Sequence, residues 1–462
     1  MTDRGRGQIQ NTRRRNTGGD APIRDARDAA YRHLSAHAKR YPDLLPSEIN
    51  TGSLEARDAS LAIAIVDASV RRWRTLEYII ETLSGHASHE IEPRLRAVLL
   101  GGAAQLLLLD RVPPHAVLDE SVSWAKRHIR PGAGGMVNAV LRKVARVRGE
   151  QIEDAWEHHL DAIPLSEGGM LRINGVELPE HGRRRLGIAC SLPNALLQRW
   201  EAMYGDPTLQ ALHTICKPPT ILYTKHCSAL SDDAAMIPHA SGNHHVFSGS
   251  RAELLALLDS ESDLWVQDPA SSATLGQLRF DSEPELAIDL CAGQGTKTRQ
   301  LRAMLPNCKV IASEIDSKRL RTLQEQFSDD ARVQVEHVRD LDSAYAESAD
   351  FILVDAPCSN TGVLPRRVEA RYRPLDSQLK RLAAMQREIL RHARELLAPG
   401  GTLVYSTCSA EIDENEAQAD WASKELGLEL IELARIEASG QPGDSPSSYQ
   451  DGAFSARFRR ND

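Results

Sequence analysis

The spacing of apolar residues divides the chain into regions of different character. From about residue 22 to 148 these residues recur every three or four positions, as in RDARDAAYRHLSAHAKR and PRLRAVLLGGAAQLLLLD, without strand-like alternation. This spacing predicts an all-helical domain over residues 21–149. Residues 1–20 are rich in arginine, glycine and asparagine and almost lack large apolar side chains, which predicts a disordered tail.

From about residue 266, short apolar runs alternate with helical stretches. The runs are LAIDL (286–290), KVIASE (309–314), VQVEHV (333–338), FILVD (351–355) and TLVYSTC (402–408). Helical patterns occupy 297–304, 317–327, 376–397 and 413–426. This alternation predicts a doubly wound, Rossmann-like α/β domain over residues 266–462, built on a parallel sheet. Residues 150–265 mix helical and strand-like patterns, and we expect a small α+β linker subdomain there.

Composition narrows the class of protein. No apolar run is long enough to span a bilayer, and no apolar stretch follows the N-terminal arginines, so we expect a cytoplasmic protein without a secretory signal. Seven cysteines without CxxC spacing argue against a disulfide framework and a metal site. The net charge of −8 counts slightly against nucleic-acid binding. Arginines nevertheless cluster at Arg13–Arg15, Arg71–Arg74, Arg183–Arg185, Arg366–Arg373 and Arg457–Arg460.

A glycine-containing loop follows the first predicted strand of the α/β domain. It reads DLCAGQGTK from Asp289, and Gly293 and Gly295 permit a tight turn and close approach of a ligand. Glu314 ends the second strand, where a carboxylate can accept hydrogen bonds from the hydroxyls of a ribose. Asp340, after the third strand, is a candidate contact for an adenine amino group. These features predict a nucleoside cofactor but do not separate NAD from S-adenosylmethionine.

Two cysteines stand at the carboxyl ends of predicted strands. The fourth strand ends in Asp355-Ala-Pro-Cys358, and the fifth ends in Ser406-Thr-Cys408. If these strands are neighbours, both thiols face one cleft. Carbon 5 of cytosine becomes a nucleophile only after a thiolate adds to carbon 6, and a carboxyl such as Asp355 can favour that addition through the ring nitrogen. Methylation of a nitrogen needs no thiol, so this pair favours cytosine-C5 chemistry.

At these residues the chain resembles the RNA cytosine-C5 methyltransferases of the Sun/Fmu (NOP2/Sun) family. DLCAGQGTKT, DAPCSNTGVLPRR and LVYSTCSAEIDENE are similar to the family's cofactor, substrate and nucleophile loops. The resemblance implies that Cys408 attacks the base, that Cys358 assists product release and that Asp355 contacts the cytosine. It also implies S-adenosylmethionine as cofactor, in a site formed by Asp289, Cys291, Ala292, Gly293, Gly295, Lys297, Glu314, Asp340 and Asp355.

The helical region resembles the RNA-binding fold of the NusB family, in DRVPPHAVLDESVSWAK and GGMVNAVLRKV. A NusB-like domain joined to this methyltransferase domain is the RsmB-type layout, which implies 16S ribosomal RNA, at cytosine 967, as the substrate. The sequence departs from the family in two places: Gly-Gln-Gly-Thr-Lys-Thr replaces the usual Ala-Pro-Gly-Gly-Lys-Thr, and Glu314 replaces aspartate.

Alternatives remain open at this stage. The chain could be a non-catalytic RNA-binding protein with an inactive enzyme domain, a nicotinamide-dependent oxidoreductase, or the same enzyme acting on transfer RNA. We expect a monomer without metal or membrane attachment. We also expect the basic stretch Arg366–Arg373, directly after the substrate loop, to hold RNA phosphates near a flipped base.

Overall fold

The computed structural model describes residues 22–52, 54–227 and 235–461. The predicted disordered tail, residues 1–20, and its arginine cluster lie outside the described residues. None of the described helices combines the length and apolar character that crossing a bilayer requires.

The N-terminal region is helical, as predicted. Its helices are α1 (Ala26–Arg40), α2 (Ala56–Arg71), α3 (Trp73–Ser84), α4 (Pro93–Leu108), α5 (Pro114–His128) and α6 (Ala133–Val147). Helix α4 is buried along most of its length and packs against α1 and α6. Glycines allow this close packing, because a Cβ at Gly101 would lie 2.7 Å from Tyr31 Cε1 and one at Gly102 would lie 2.5 Å from Leu141 Cδ1.

The central region contains two small antiparallel sheets and several helices. The first sheet contains β1 (Arg148–Ile152), β2 (Ala162–Pro164) and β3 (Met170–Ile173), in the order β1-β3-β2. Three helices follow: α7 (Gly182–Ala189), α8 (Asn194–Tyr204) and α9 (Thr208–His213). The second sheet contains β4 (Thr220–Tyr223), β5 (Met236–Pro238), β6 (His244–Phe247) and β7 (Trp265–Val266), in the order β5-β6-β4-β7. Helix α10 (Arg251–Ser260) lies between β6 and β7 in the chain, and α11 (Pro269–Gly276) follows β7.

The C-terminal region alternates strands and helices around a seven-stranded sheet. Its strands are β8 (Leu286–Asp289), β9 (Lys309–Glu314), β10 (Val333–His337), β11 (Ala349–Asp355), β12 (Leu397–Thr407), β13 (Leu428–Ile436) and β14 (Ala453–Arg460). Its helices are α12 (Thr296–Met304), α13 (Ser317–Gln326), α14 (Leu341–Tyr345), α15 (Leu375–Leu396) and α16 (Glu416–Leu426).

The strand order of this sheet is β10-β9-β8-β11-β12-β14-β13. The Rossmann-like prediction is confirmed, but the sheet is mixed rather than all parallel, because β14 pairs antiparallel with both β12 and β13. Strand order reverses at β8, which lies between β9 and β11. Ligands of such sheets bind at the carboxyl ends of the strands, beside this reversal.

One apolar core links the N-terminal and central regions to the C-terminal region. It extends from the helices of residues 30–147 through the central helices to residues 364–379, which begin inside the predicted substrate loop. Tyr372 contacts both preceding regions. Its hydroxyl donates to Val70 O of the N-terminal region at 2.6 Å and lies 2.9 Å from Ser191 Oγ of the central region. The loop after β11 is therefore held against both preceding regions.

Candidate functional site

The two strand-end cysteines lie side by side. Strands β11 and β12 pair in parallel with Asp355 opposite Ser406, so the loops that follow them leave the sheet together. Cys358 Sγ and Cys408 Sγ are 3.3 Å apart, and both side chains are partly buried. The two strands are therefore neighbours, as the prediction required, and the two thiols meet at their carboxyl ends.

The surroundings of Cys358 keep it a thiol at neutral pH. The hydrogen bond with Cys408 and burial both raise the pKa of Cys358 well above its ordinary value, and the nearby carboxylate of Glu414 acts in the same direction. A neutral thiol here can donate a hydrogen bond to the sulfur of Cys408.

An ion pair lies beside the cysteines. Lys297 Nζ donates to Asp355 Oδ2 at 2.7 Å, and Ser406 Oγ donates to Asp355 Oδ1 at 2.8 Å. Burial alone would lower the pKa of Lys297, but attraction to Asp355 and the hydrogen bond to it outweigh burial, so the pKa is raised. The ammonium also interacts electrostatically with Cys408, and a nearby cation favours a thiolate.

The glycine loop and the residue before it can accept a cofactor. Gly293 has φ +60° and open space at its Cβ position, whereas Gly295 has φ +81° and a Cβ there would lie 2.8 Å from Phe327. Asp289 is fully buried at the end of β8; its Oδ2 accepts from Thr298 Oγ1 at 2.7 Å, and its Oδ1 has no hydrogen-bond partner among the described residues. An orphaned carboxylate oxygen beside an open backbone turn fits a ligand that carries a donor or a positive charge.

Cys291 and Ala292 are the two loop residues before Gly293; the first is partly buried and the second is buried. Burial raises the pKa of the Cys291 thiol, and the nearby carboxylate of Asp289 acts in the same direction, so the protonated thiol is favoured at neutral pH. Ala292 is 8% exposed, and its backbone N–H donates to Ser313 O at 2.9 Å. These contacts attach the loop to β9, so both residues can shape the cofactor site through the backbone.

The two predicted acidic contacts lie at the carboxyl ends of β9 and β10. Glu314 Oε1 accepts from the backbone N–H groups of Ile315 and Asp316, both at 2.9 Å, which leaves Oε2 without a hydrogen bond from the part of the chain that the structure describes. Asp340 is exposed and precedes α14. The nearby Asp342 contacts His392 Nε2 through its Oδ1 at 2.6 Å.

Two residues that the sequence reasoning missed support the cysteine loops. Glu414 is fully buried and accepts from the backbone N–H of Ser359 at 3.0 Å and from Gln386 Nε2 at 3.1 Å. Burial raises its pKa, although the bonds from Ser359 oppose that effect. Asn360 donates from Nδ2 to Cys358 O at 2.9 Å, while its Oδ1 accepts from Cys408 Sγ at 3.3 Å. Glu414 and Asn360 both lie in motifs quoted above. Their partners Ser359 and Cys408 are 55 and 48 residues away in the chain, so no local sequence pattern reveals these contacts.

The prediction that Arg366–Arg373 hold RNA phosphates is wrong for Arg371. This side chain is buried, and its guanidinium donates to Arg71 O at 3.0 Å and Thr214 O at 2.8 Å. Arg366 forms ion pairs with Asp268 and Asp451, so charge reversal there would place three carboxylates together instead of testing RNA contact. Arg367 is exposed, so a charge-reversal substitution at this position can test contact with RNA phosphates.

Comparison with known proteins identifies the domains. Residues 278–458 match the family model described as 16S rRNA methyltransferase RsmB/F, and residues 24–146 match the NusB family. Over these C-terminal residues the chain is similar to the RsmB/F methyltransferases. The chain is 28% identical over 420 residues to ribosomal RNA small subunit methyltransferase B of Escherichia coli, covering 87% of this chain and 90% of that protein. It is 29% identical over 421 residues to the protein of the same name from Shigella flexneri, with the same coverage.

A solved structure shares the fold of most of the chain. The crystal structure of PH0851 aligns with a TM-score of 0.64 and 19% identity, covering 88% of this chain and 91% of that one. The glycine loop lies within the residues that match the RsmB/F methyltransferase model. This match does not support the alternative hypothesis of a nicotinamide-dependent oxidoreductase.

Proposed function

We propose that this RsmB/F-family methyltransferase transfers a methyl group from S-adenosylmethionine to carbon 5 of a cytosine in 16S ribosomal RNA, with cytosine 967 as the expected position. The observation that carries the proposal is the 3.3 Å separation of Cys358 Sγ and Cys408 Sγ beside Asp355. The names of the similar proteins support ribosomal RNA as the substrate.

Cys408 is the nucleophile in this proposal. Its thiolate adds to carbon 6 of the cytosine, and the electrons of the ring double bond move to carbon 5, which then takes up the methyl group. A base removes the proton from carbon 5, the double bond reforms, and the carbon–sulfur bond breaks. The ammonium of Lys297 favours the thiolate before addition, and the thiol of Cys358 can hydrogen-bond the departing sulfur.

Asp355 contacts the cytosine in this proposal. Ser406 and Lys297 fix both of its carboxylate oxygens, which orients the group at the end of β11. The cofactor supplies an electrophilic methyl group when bound. Asp289, Cys291, Ala292, Gly293, Gly295, Lys297, Glu314, Asp340 and Asp355 are the residues that we propose for its site.

We also propose the following organisation: a NusB-like RNA-binding domain over residues 21–149, a linker subdomain over 150–265 and the methyltransferase domain over 266–462. The enzyme would act in the cytoplasm as a monomer without a metal ion. Analytical ultracentrifugation of the purified chain tests the monomer, because a concentration-dependent sedimentation coefficient would contradict it.

The test is a methylation assay with labelled S-adenosylmethionine on 16S ribosomal RNA and, separately, on transfer RNA. Wild type should label carbon 5 of one cytosine in the ribosomal RNA. Cys408→Ala should be inactive, and Cys358→Ala should accumulate a covalent RNA adduct. Cys227→Ala, a thiol substitution in the central region, should retain activity.

Three results would contradict the proposal. Label in transfer RNA alone would replace the substrate. Activity in Cys408→Ala would remove the covalent mechanism. Absence of both methyl transfer and cofactor binding in wild type would favour the non-catalytic RNA-binding alternative.

A further inference from the structure

Asn360 bridges the two cysteine loops from a backbone conformation that few residues adopt. Its φ is +63°, in the left-handed region where asparagine is among the few tolerated non-glycine residues. The side-chain Nδ2 donates to the carbonyl of Cys358 at 2.9 Å, and Oδ1 faces Cys408 Sγ at 3.3 Å. One amide thus contacts both loops.

The backbone around Asn360 is fixed by contacts that do not involve its side chain. The preceding Ser359 N–H is held by Glu414, and the Gly362 N–H donates to Cys408 O at 3.0 Å. The carbonyl of Cys358 can only accept, so it sets the orientation of the amide and directs Oδ1 toward the sulfur. Removing the amide should therefore leave the loop in place.

We infer that Asn360 is a positioning residue for Cys408: its amide oxygen accepts a hydrogen bond from the thiol and aligns the sulfur beside Cys358. The inference rests on the proposed role of Cys408 as nucleophile. An acceptor opposite the sulfur stabilises S–H and opposes the thiolate. Among the described residues, Cys358 Sγ lies 3.3 Å from this sulfur, and the ammonium of Lys297, which is paired with Asp355, interacts with it electrostatically and acts in the opposite direction through its positive charge.

Two substitutions separate the amide from the backbone conformation. Asn360→Gly keeps the left-handed conformation and removes the acceptor. Asn360→Asp keeps the shape and replaces the amide by a carboxylate. We would measure the alkylation rate of Cys408 by iodoacetamide from pH 6 to 10, with peptide mass spectrometry to separate it from Cys358.

Asn360→Gly should alkylate Cys408 about two- to fivefold faster at pH 7, because a weak neutral hydrogen bond to the thiol is lost. Asn360→Asp should alkylate about tenfold more slowly, since a carboxylate opposes the thiolate more strongly. The midpoints of the two pH profiles should move in opposite directions, whereas a merely structural loop residue would slow both variants alike or neither.

Wild-type rates and midpoints in both variants would overturn the inference, and so would equal slowing in both. Circular dichroism and thermal unfolding of each variant would show that the fold is retained. Alkylation needs neither RNA nor cofactor, so this result is independent of the methylation assay. If the alkylation midpoints shift in opposite directions in a protein that methylates no RNA, the proposed function is contradicted, but the contact between Asn360 and Cys408 is supported.

Discussion

Asp289 imposes a pH-dependent cost on the stability of the methyltransferase domain. Its side chain is fully buried, and burial raises its pKa from 3.8 to about 7, an effect that the hydrogen bond from Thr298 only partly offsets. Asp289→Asn keeps the shape and the acceptor for Thr298 but cannot ionise. The variant should therefore be more stable than wild type at neutral pH.

The sign and size of the effect follow from the two pKa values. Because the folded-state pKa lies above the unfolded value, wild type loses stability as pH rises from about 4 to about 7. At about 1.4 kcal/mol per pKa unit, the full loss is about 4 kcal/mol. The advantage of Asp289→Asn should grow from about 2 kcal/mol at pH 5 to about 4 kcal/mol at pH 8.

The assay is thermal unfolding of both proteins between pH 5 and pH 8. One kcal/mol shifts Tm by about 2–4 °C in a domain of roughly 200 residues, so the Tm difference should be about 4–8 °C larger at pH 8 than at pH 5. Asp340→Asn, which removes an exposed carboxylate, is the control and should follow wild type. A Tm of Asp289→Asn that follows wild type across this range, or that is lowered equally at every pH, would refute the pH-dependent cost of Asp289.

Three further substitutions test the loops and the domain junction. Tyr372→Phe removes a buried hydroxyl that bonds Val70 O and Ser191 Oγ and should lower the free energy of unfolding by about 1–2 kcal/mol in denaturant titrations. Gly362→Ala places a Cβ 2.8 Å from Cys408 O and should lower methylation at least about tenfold, measured at saturating RNA. Glu414→Gln turns an amide donor toward the Ser359 N–H and should cost about 2–3 kcal/mol, read as a lower Tm.

The apolar pattern located the central strands because they are buried on both faces. Strands β8, β9 and β11 begin or end within one or two residues of their predicted bounds. No pattern in the sequence predicts strand β13, because the alternation in LELIEL breaks at Leu430 and Ile431. Among the described strands it pairs with β14 alone, at the edge of the sheet, and its exposed positions mix Glu429 and Glu432 with the apolar Ile431 and Leu433, so no regular alternation marks the strand.

The arginine clusters show what composition cannot tell. Arg71, Arg72 and Arg371 read as surface charge in the sequence, yet each is buried and donates to backbone carbonyls. Arg71 and Arg371 also have partners nearby in the chain, but each of the three arginines donates to a carbonyl in a distant segment, among them those of Cys216 and Pro164. Only the packing of the three regions decides whether such an arginine binds RNA or joins domains.

The two cysteines are alike in sequence but differ in their surroundings. Each follows the carboxyl end of a central strand, so the sequence predicts that they meet but not how their roles divide. In the structure, Cys358 lies near the carboxylate of Glu414 and its pKa is raised, whereas Cys408 interacts with the ammonium of Lys297. The charge beside Cys358 is therefore negative, whereas the charge that interacts with Cys408 is positive. The difference between the two cysteines thus comes from residues outside both strand ends. This difference in nearby charge supports the proposed assignment of Cys408 as nucleophile.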